Sequence, residues 1–232
     1  LNDLAQQATG DVLVMTDSRQ KIHPDAVQHL VDNLSDASVG VVSANYSMLK
    51  EFGEDELEGV GLYWTMEKKL RRDEGRLHSS IGATGALYAL RREDYQTIPE
   101  DALIDDVTLP LLVNRTGKRT VFEEEAKVFD RFASTTADEW KRKVRTLAGN
   151  FQLLFSNGRY GNPWKPKLAF QYLSHKFIRL LIPVILILLL YASSQVQGDL
   201  YHYAFMTQIL CYSLACFGFL FERVGFKTPL LT

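Results

Sequence analysis

Apolar and polar positions divide the chain into two parts of different character. Up to about residue 160, short apolar runs alternate with charged stretches, and beyond Leu168 apolar sequence dominates. DVLVMT (residues 11–16), set between Gly10 and Asp17, reads as a continuous apolar strand buried in a parallel sheet. Residues 24–34 read as a crossover helix, with Pro24 in the first turn and Asp25 at the positive end. VGVVS (39–43) is the next strand. Together they form one βαβ unit that leaves Asp17 at the carboxyl end of its first strand, the edge at which open α/β sheets bind ligands. A helix over 57–72 has an apolar stripe of Leu62, Tyr63, Met66 and Leu70 and an i,i+4 pair, Glu67 and Arg71. The small-residue loop HSSIGATG (78–85) precedes a strand at 86–90. A loop at 99–104 leads to Asp105-Asp106 and a helix beginning at 107–113, followed by short strands at 119–123 and 126–129. Asp138 is placed to cap a helix with Trp140, Val144 and Leu147 on one side and Lys141, Arg142, Lys143 and Arg145 over much of the rest.

The second part predicts a membrane hairpin. LLIPVILILLLYA (180–192) has no charge and reaches spanning length when extended back through Phe177 and Ile178, with Arg179 near the interface. Pro183 is tolerable near the start of such a helix. A second apolar stretch covers about 202–221. Lys165, Lys167, Lys176 and Arg179 precede the first span, Arg223 and Lys227 follow the second, and the intervening SSQVQGDLY has no Lys or Arg. The positive-inside rule then puts the polar part and the C-terminal end in the cytoplasm, which predicts a multi-pass protein of the cell (inner) membrane. Trp164, Phe170 and Tyr172 mix with lysines over 162–176, the pattern of an interfacial amphipathic helix in contact with membrane lipids. The predicted organisation is an α/β domain over 1–160, an amphipathic interfacial segment over 161–179 and a transmembrane hairpin over 180–232.

Composition adds exclusions. The net charge of -2 over 232 residues argues against a nucleic-acid footprint. The two cysteines, Cys211 and Cys216, lie inside the second apolar stretch at a spacing that matches no zinc pattern. The chain opens on Leu1, and LNDLAQQATGD reads as a helix tail running into a strand, which predicts an N-terminally truncated domain.

Four features could carry chemistry. Asp17, in TDSR, is placed to hold a divalent cation that bridges phosphates, or simply starts a turn. Asp105-Asp106 opens a helix, either as an N-terminal cap or as a general base aimed at an acceptor hydroxyl. Arg142, Lys143 and Arg145 can neutralise a pyrophosphate leaving group or form the face of a helix near an anionic membrane. GATG, with Gly82, Thr84 and Gly85, either lets a sugar approach the backbone or is a plain turn.

The order TGDVLVMTDS, PDAV, VGVVSA, GATGALYALRR, IDDVTLP, KRKVRTLAGNFQ and an apolar hairpin resembles the membrane-bound family 2 glycosyltransferases. These have a GT-A (Rossmann-like) fold and include the cellulose and hyaluronan synthases. The resemblance covers nearly the whole chain and implies a partial GT-A domain followed by an interfacial helix and two transmembrane helices. By that resemblance Asp17 is the first Asp of the Asp-x-Asp metal motif, and Arg19 stands where the second would be; either Asp17 holds the metal with other partners, or Arg19 takes over part of the phosphate contact as a substrate-binding residue. Asp106 matches the catalytic base that ends Thr-Glu-Asp, with Asp105 its acidic neighbour. Arg142 to Thr146 falls on Gln-x-x-Arg-Trp and retains only Arg145, while Gly82 to Gly85 matches the loop near the acceptor sugar. The implied cofactor is Mg²⁺ or Mn²⁺. The implied activity is inverting transfer from a nucleotide-sugar, most simply a UDP-sugar, to a polysaccharide or lipid-linked acceptor, with partner proteins for any export. The altered Asp-x-Asp and Gln-x-x-Arg-Trp positions also suit an inactive sugar-binding scaffold of the same fold.

Overall fold

The apolar strands of the first part assemble into one mixed sheet. In the computed structural model, residues 1–49, 62–131, 136–162, 164 and 166–223 are described. The chain divides into a unit at Leu1–Lys176 and a second at Phe177–Thr232. In the first unit, α1 (Asn2–Gln7) leads to β1 (Val12–Thr16), β2 (Lys21–Ile22), α2 (Ala26–Asn33) and β3 (Val39–Leu49). Then come α3 (Leu62–Leu77), β4 (Leu87–Arg91), α4 (Asp105–Asn114), β5 (Arg119–Arg131) and α5 (Thr136–Phe155). The unit ends with α6 (Pro166–Gln171) and a π-helical turn at Tyr172–Phe177, whose last residue opens the second unit.

The strand order is β1-β4-β3-β5-β2, with β3 parallel to β5 and the other pairings antiparallel. This refines the expected βαβ unit. β1 and β3 run in the same direction, but β4 lies between them, so β1 is not a strand of a parallel sheet. Its apolar run is only partly buried, because β4 is its single partner among the described residues. The two short strands expected near 119–129 are one strand. Its pairing with β3 slips between Ser43 and Asn45, and the bulge takes up Glu123 to Glu125. Three charged residues without apolar alternation break the period-2 signal without breaking the strand.

The sheet is covered on both faces, as β-strand alternation requires. Ala26, Leu30 and Leu34 from α2 and its end pack with Val42, Ala44, Leu87, Ala89 and Val128 on one side. Val41, Tyr88 and Leu90 pack with Leu13, Leu109 and Val113 on the other. A side chain at Gly40 would collide with Val113, so α4 lies directly against β3. Helix boundaries differ modestly from expectation. α2 starts at Ala26, past Pro24, and α5 starts at Thr136, ahead of the expected cap at position 138. The expected first turn of α3 at 57–61, and Lys165 and Lys227, lie outside the described residues.

In the second unit α7 (Ile178–Gln195) and α8 (Asp199–Arg223) pack as a helical hairpin. Gln208 Nε2 donates to Ser193 Oγ at 3.2 Å, and the Tyr212 hydroxyl reaches the Leu186 carbonyl at 3.4 Å. Among the described residues one helix, Leu168–Gln195, is long and apolar enough to cross a membrane, with 28 residues and little burial.

Candidate active site

Asp105 and Asp106 form the first turn of α4, after Ile104 at the cap position. Pro110, four residues on, has no N–H to give the Asp106 carbonyl, so the helix leaves that acceptor open. Ala83 N–H fills it at 2.8 Å, joining the GATG loop to the base of the helix. Gly82 has φ +116°, a conformation that favours glycine, and Gly85 leaves room for the carboxylate. A Cβ at Gly85 would lie 3.3 Å from Asp106 Oδ2. Thr84 N–H donates to Ser43 Oγ at 2.9 Å, which holds the loop to β3 as well. Gly82, Thr84 and Gly85 therefore stand beside Asp106.

From the opposite side α5 holds the loop that leads into α4. A Cβ at Gly149 would lie 2.7 Å from Ile104 Cγ2, so helix and loop touch at that point. Gln152 accepts from Leu103 N–H at 3.1 Å and donates to the Asp101 carbonyl at 2.8 Å. The Tyr160 hydroxyl donates to Asp101 Oδ2 at 2.7 Å, and Arg159 pairs with Asp101 at 3.1 Å.

The electrostatics single out Asp106. Burial, together with the charge of Asp105, holds its carboxyl above the ordinary carboxylate range, while Lys176, Arg71 and Arg145 pull the other way. Of the basic cluster on α5, Arg145 acts on Asp106. Arg142 instead acts on the Tyr46 hydroxyl, which burial and then Asp130 push up to about 12 against the opposing pull of Arg142. Lys143 is exposed. Tyr88 lies under the acidic groups: burial raises its phenol first, followed by Asp105, Asp106 and Asp17. Its hydroxyl is buried without a hydrogen-bond partner.

Asp17 is exposed at the end of β1. Arg19 is turned to the buried Asp130 at 2.9 Å, which also accepts from the Tyr46 hydroxyl at 3.2 Å and Gln20 Nε2 at 3.3 Å. The described residues contain no group of three or more metal-ligating side chains. Asp17 alone fits the kind of cation site in which one carboxylate is completed by substrate phosphates and water. The charge of Asp17 reaches the Tyr88 phenol, as do those of Asp105 and Asp106.

The model of the glycosyl transferase family group 2 matches residues 12–220. The chain belongs to that family. Among solved structures, this glycosyltransferase-family chain is similar to the mannosyltransferase PcManGT from Pyrobaculum calidifontis in complex with GDP-Man and Mn²⁺. The match has 20% identity and a TM-score of 0.61 and covers 90% of this chain and 62% of that one. A mannosyl-3-phosphoglycerate synthase from Rubrobacter xylanophilus matches at 15% identity and TM-score 0.40, covering 67% of this chain and 50% of that one. At these identities the likeness is one of fold, GT-A-like in the first case. No curated protein sequence matches the chain.

Several residues that build this site escape a reading of the sequence. Pro110 was a legible signal, since a proline four residues after an acidic helix start frees that residue's carbonyl. Gln152, Tyr160 and Gly149 carried none, because their role depends on α5 returning to the loop before α4.

Proposed function

We propose that the protein transfers a sugar with inversion from a nucleotide-sugar donor to a polysaccharide or lipid-linked acceptor at the cytoplasmic face of a membrane. The observation that carries this reading is Asp106 itself. It is a carboxylate raised by burial and by Asp105, beside a glycine loop that leaves backbone space for a sugar. Asp106 accepts the proton of an acceptor hydroxyl as that oxygen bonds to the anomeric carbon and the bond to the nucleoside diphosphate breaks. Asp105 keeps the base poised, and Arg145 places positive charge on the same site. A divalent cation, when bound, supplies charge neutralisation to the departing diphosphate, and Asp17 would be its protein ligand.

The membrane setting is supported by Leu168–Gln195 and by the flanking charges of the hairpin, with α8 as the proposed second span. α5 adds to it, since Trp140, Val144, Leu147, Phe151 and Phe155 form an exposed apolar stripe beside its basic residues. The test is donor turnover by the full chain in lipid nanodiscs with a panel of UDP- and GDP-sugars. Turnover of one donor that EDTA abolishes and Mn²⁺ or Mg²⁺ restores supports the reading. Binding of a donor without turnover under any metal overturns it in favour of a sugar-binding scaffold.

A further inference from the structure

His175 is buried in the π-helical turn with a carboxylate on each ring nitrogen. Nδ1 meets Glu74 Oε1 at 2.8 Å and Nε2 meets Glu67 Oε1 at 3.0 Å. All three side chains are at most 6% exposed. Only an imidazolium donates from both nitrogens, so a neutral ring would leave one buried carboxylate without that donor. The hydrogen bond and charge of His175, with Arg71 and Lys176, outweigh the burial that opposes ionisation and hold Glu67 well below the usual carboxylate range.

A simple structural clamp would end there, but this one continues toward the base. The second oxygen of Glu74 accepts the N–H of Ile81 at 3.4 Å, immediately before the GATG part of the small-residue loop. Two residues on, Ala83 N–H binds the Asp106 carbonyl that Pro110 leaves open. Glu67 pairs with Arg71 at 3.4 Å, and Arg71 and Lys176 are two of the cations that act on Asp106.

We infer that His175 is a positioning residue. Clamped between Glu67 and Glu74, it fixes the turn at 172–176 against α3 and, through Glu74 and Ile81, sets the GATG loop against Asp106. This rests on the reading of that loop as the acceptor side of the site, but its primary readout needs no turnover.

The experiment is hydrogen–deuterium exchange of the full chain in lipid nanodiscs, comparing wild type with His175→Gln, Glu74→Gln and Glu67→Gln. We expect His175→Gln and Glu74→Gln to speed exchange at 79–85 and 105–108 on the order of tenfold or more, with β3 and β4 unchanged. Glu67→Gln, which leaves the Glu74–Ile81 link in place, should have a smaller effect at those peptides. Unchanged exchange at 79–85 in Glu74→Gln, or an equal rise throughout β3 and β4, would overturn the inference. If His175→Gln does not fold, Glu74→Gln decides alone. With GDP-mannose or UDP-glucose as the turnover probe, Glu74→Gln should lower kcat and leave the donor KM unchanged. An altered donor KM at constant kcat counts against it. If neither donor is turned over, the exchange result stands independently, so failure of the proposed function and failure of this inference are distinguishable.

Discussion

The two ends of the candidate site are built differently. Around Asp106 the protein supplies nearly every constraint: a proline-freed carbonyl tied to the glycine loop, α5 braced on Ile104, and a carboxyl raised by burial and by Asp105. Around Asp17, among the described residues, it supplies one exposed carboxylate at a strand end, and the nearby Arg19 pairs with Asp130. A base must be aimed at a hydroxyl within hydrogen-bond reach, so its position has to be fixed before the substrate arrives. A diphosphate brings its own oxygens to a cation and needs fewer protein ligands. Under the proposed function, the acceptor end would then be sensitive to packing and the phosphate end to ions.

The largest effect that sharpens this contrast is expected from Gly149→Val. It drives side-chain atoms into Ile104 and displaces the turn that holds Asp106, so transfer should fall by about 10²-fold while donor affinity, measured by titration calorimetry, stays near wild type. Gly161→Ala should act on stability instead. Gly161 has φ +100° and its Cβ would strike Leu111, so unfolding should show a loss of about 3 kcal/mol. Gln152→Ala removes two hydrogen bonds from the loop at 101–103 and should cost about 1–2 kcal/mol by the same measurement.

A pH profile separates the two ends more finely. As the proposed base Asp106 must be ionised to accept a proton, and its carboxyl is raised, so activity should be lost as pH falls through a value above the ordinary carboxylate range. Removing the repulsive neighbour with Asp105→Asn should shift that acid limb to lower pH. A limb that stays in place would assign the titration to another group. The smallest effect is expected at Arg19, which is mostly exposed. Arg19→Ala leaves Asp130 with Tyr46 and Gln20 as donors and should cost at most about 1 kcal/mol, with kcat little changed.

What was legible in the sequence follows the range of the interactions involved. Asp106 at a helix start, Asp17 at a strand end and the GATG loop could be placed because strand and helix periodicity is local. The strand order could not, since β4 enters between β1 and β3 through pairings more than forty residues apart along the chain. The separation of Arg142 from Arg145 was also hidden. Both lie on α5 within one turn, yet one acts on Tyr46 and the other on Asp106. The pairing of His175 with Glu67 and Glu74 spans about a hundred residues and left no periodic trace.

The most direct test of Asp106 as the base is to measure donor binding and turnover together, for wild type and Asp106→Asn, using the full chain in nanodiscs and whichever nucleotide-sugar proves active. With Asp106 as the base, Asp106→Asn should keep donor affinity unchanged and lower turnover by about 10²–10⁴-fold. Turnover equal to wild type, with the variant folded and donor bound, would contradict it.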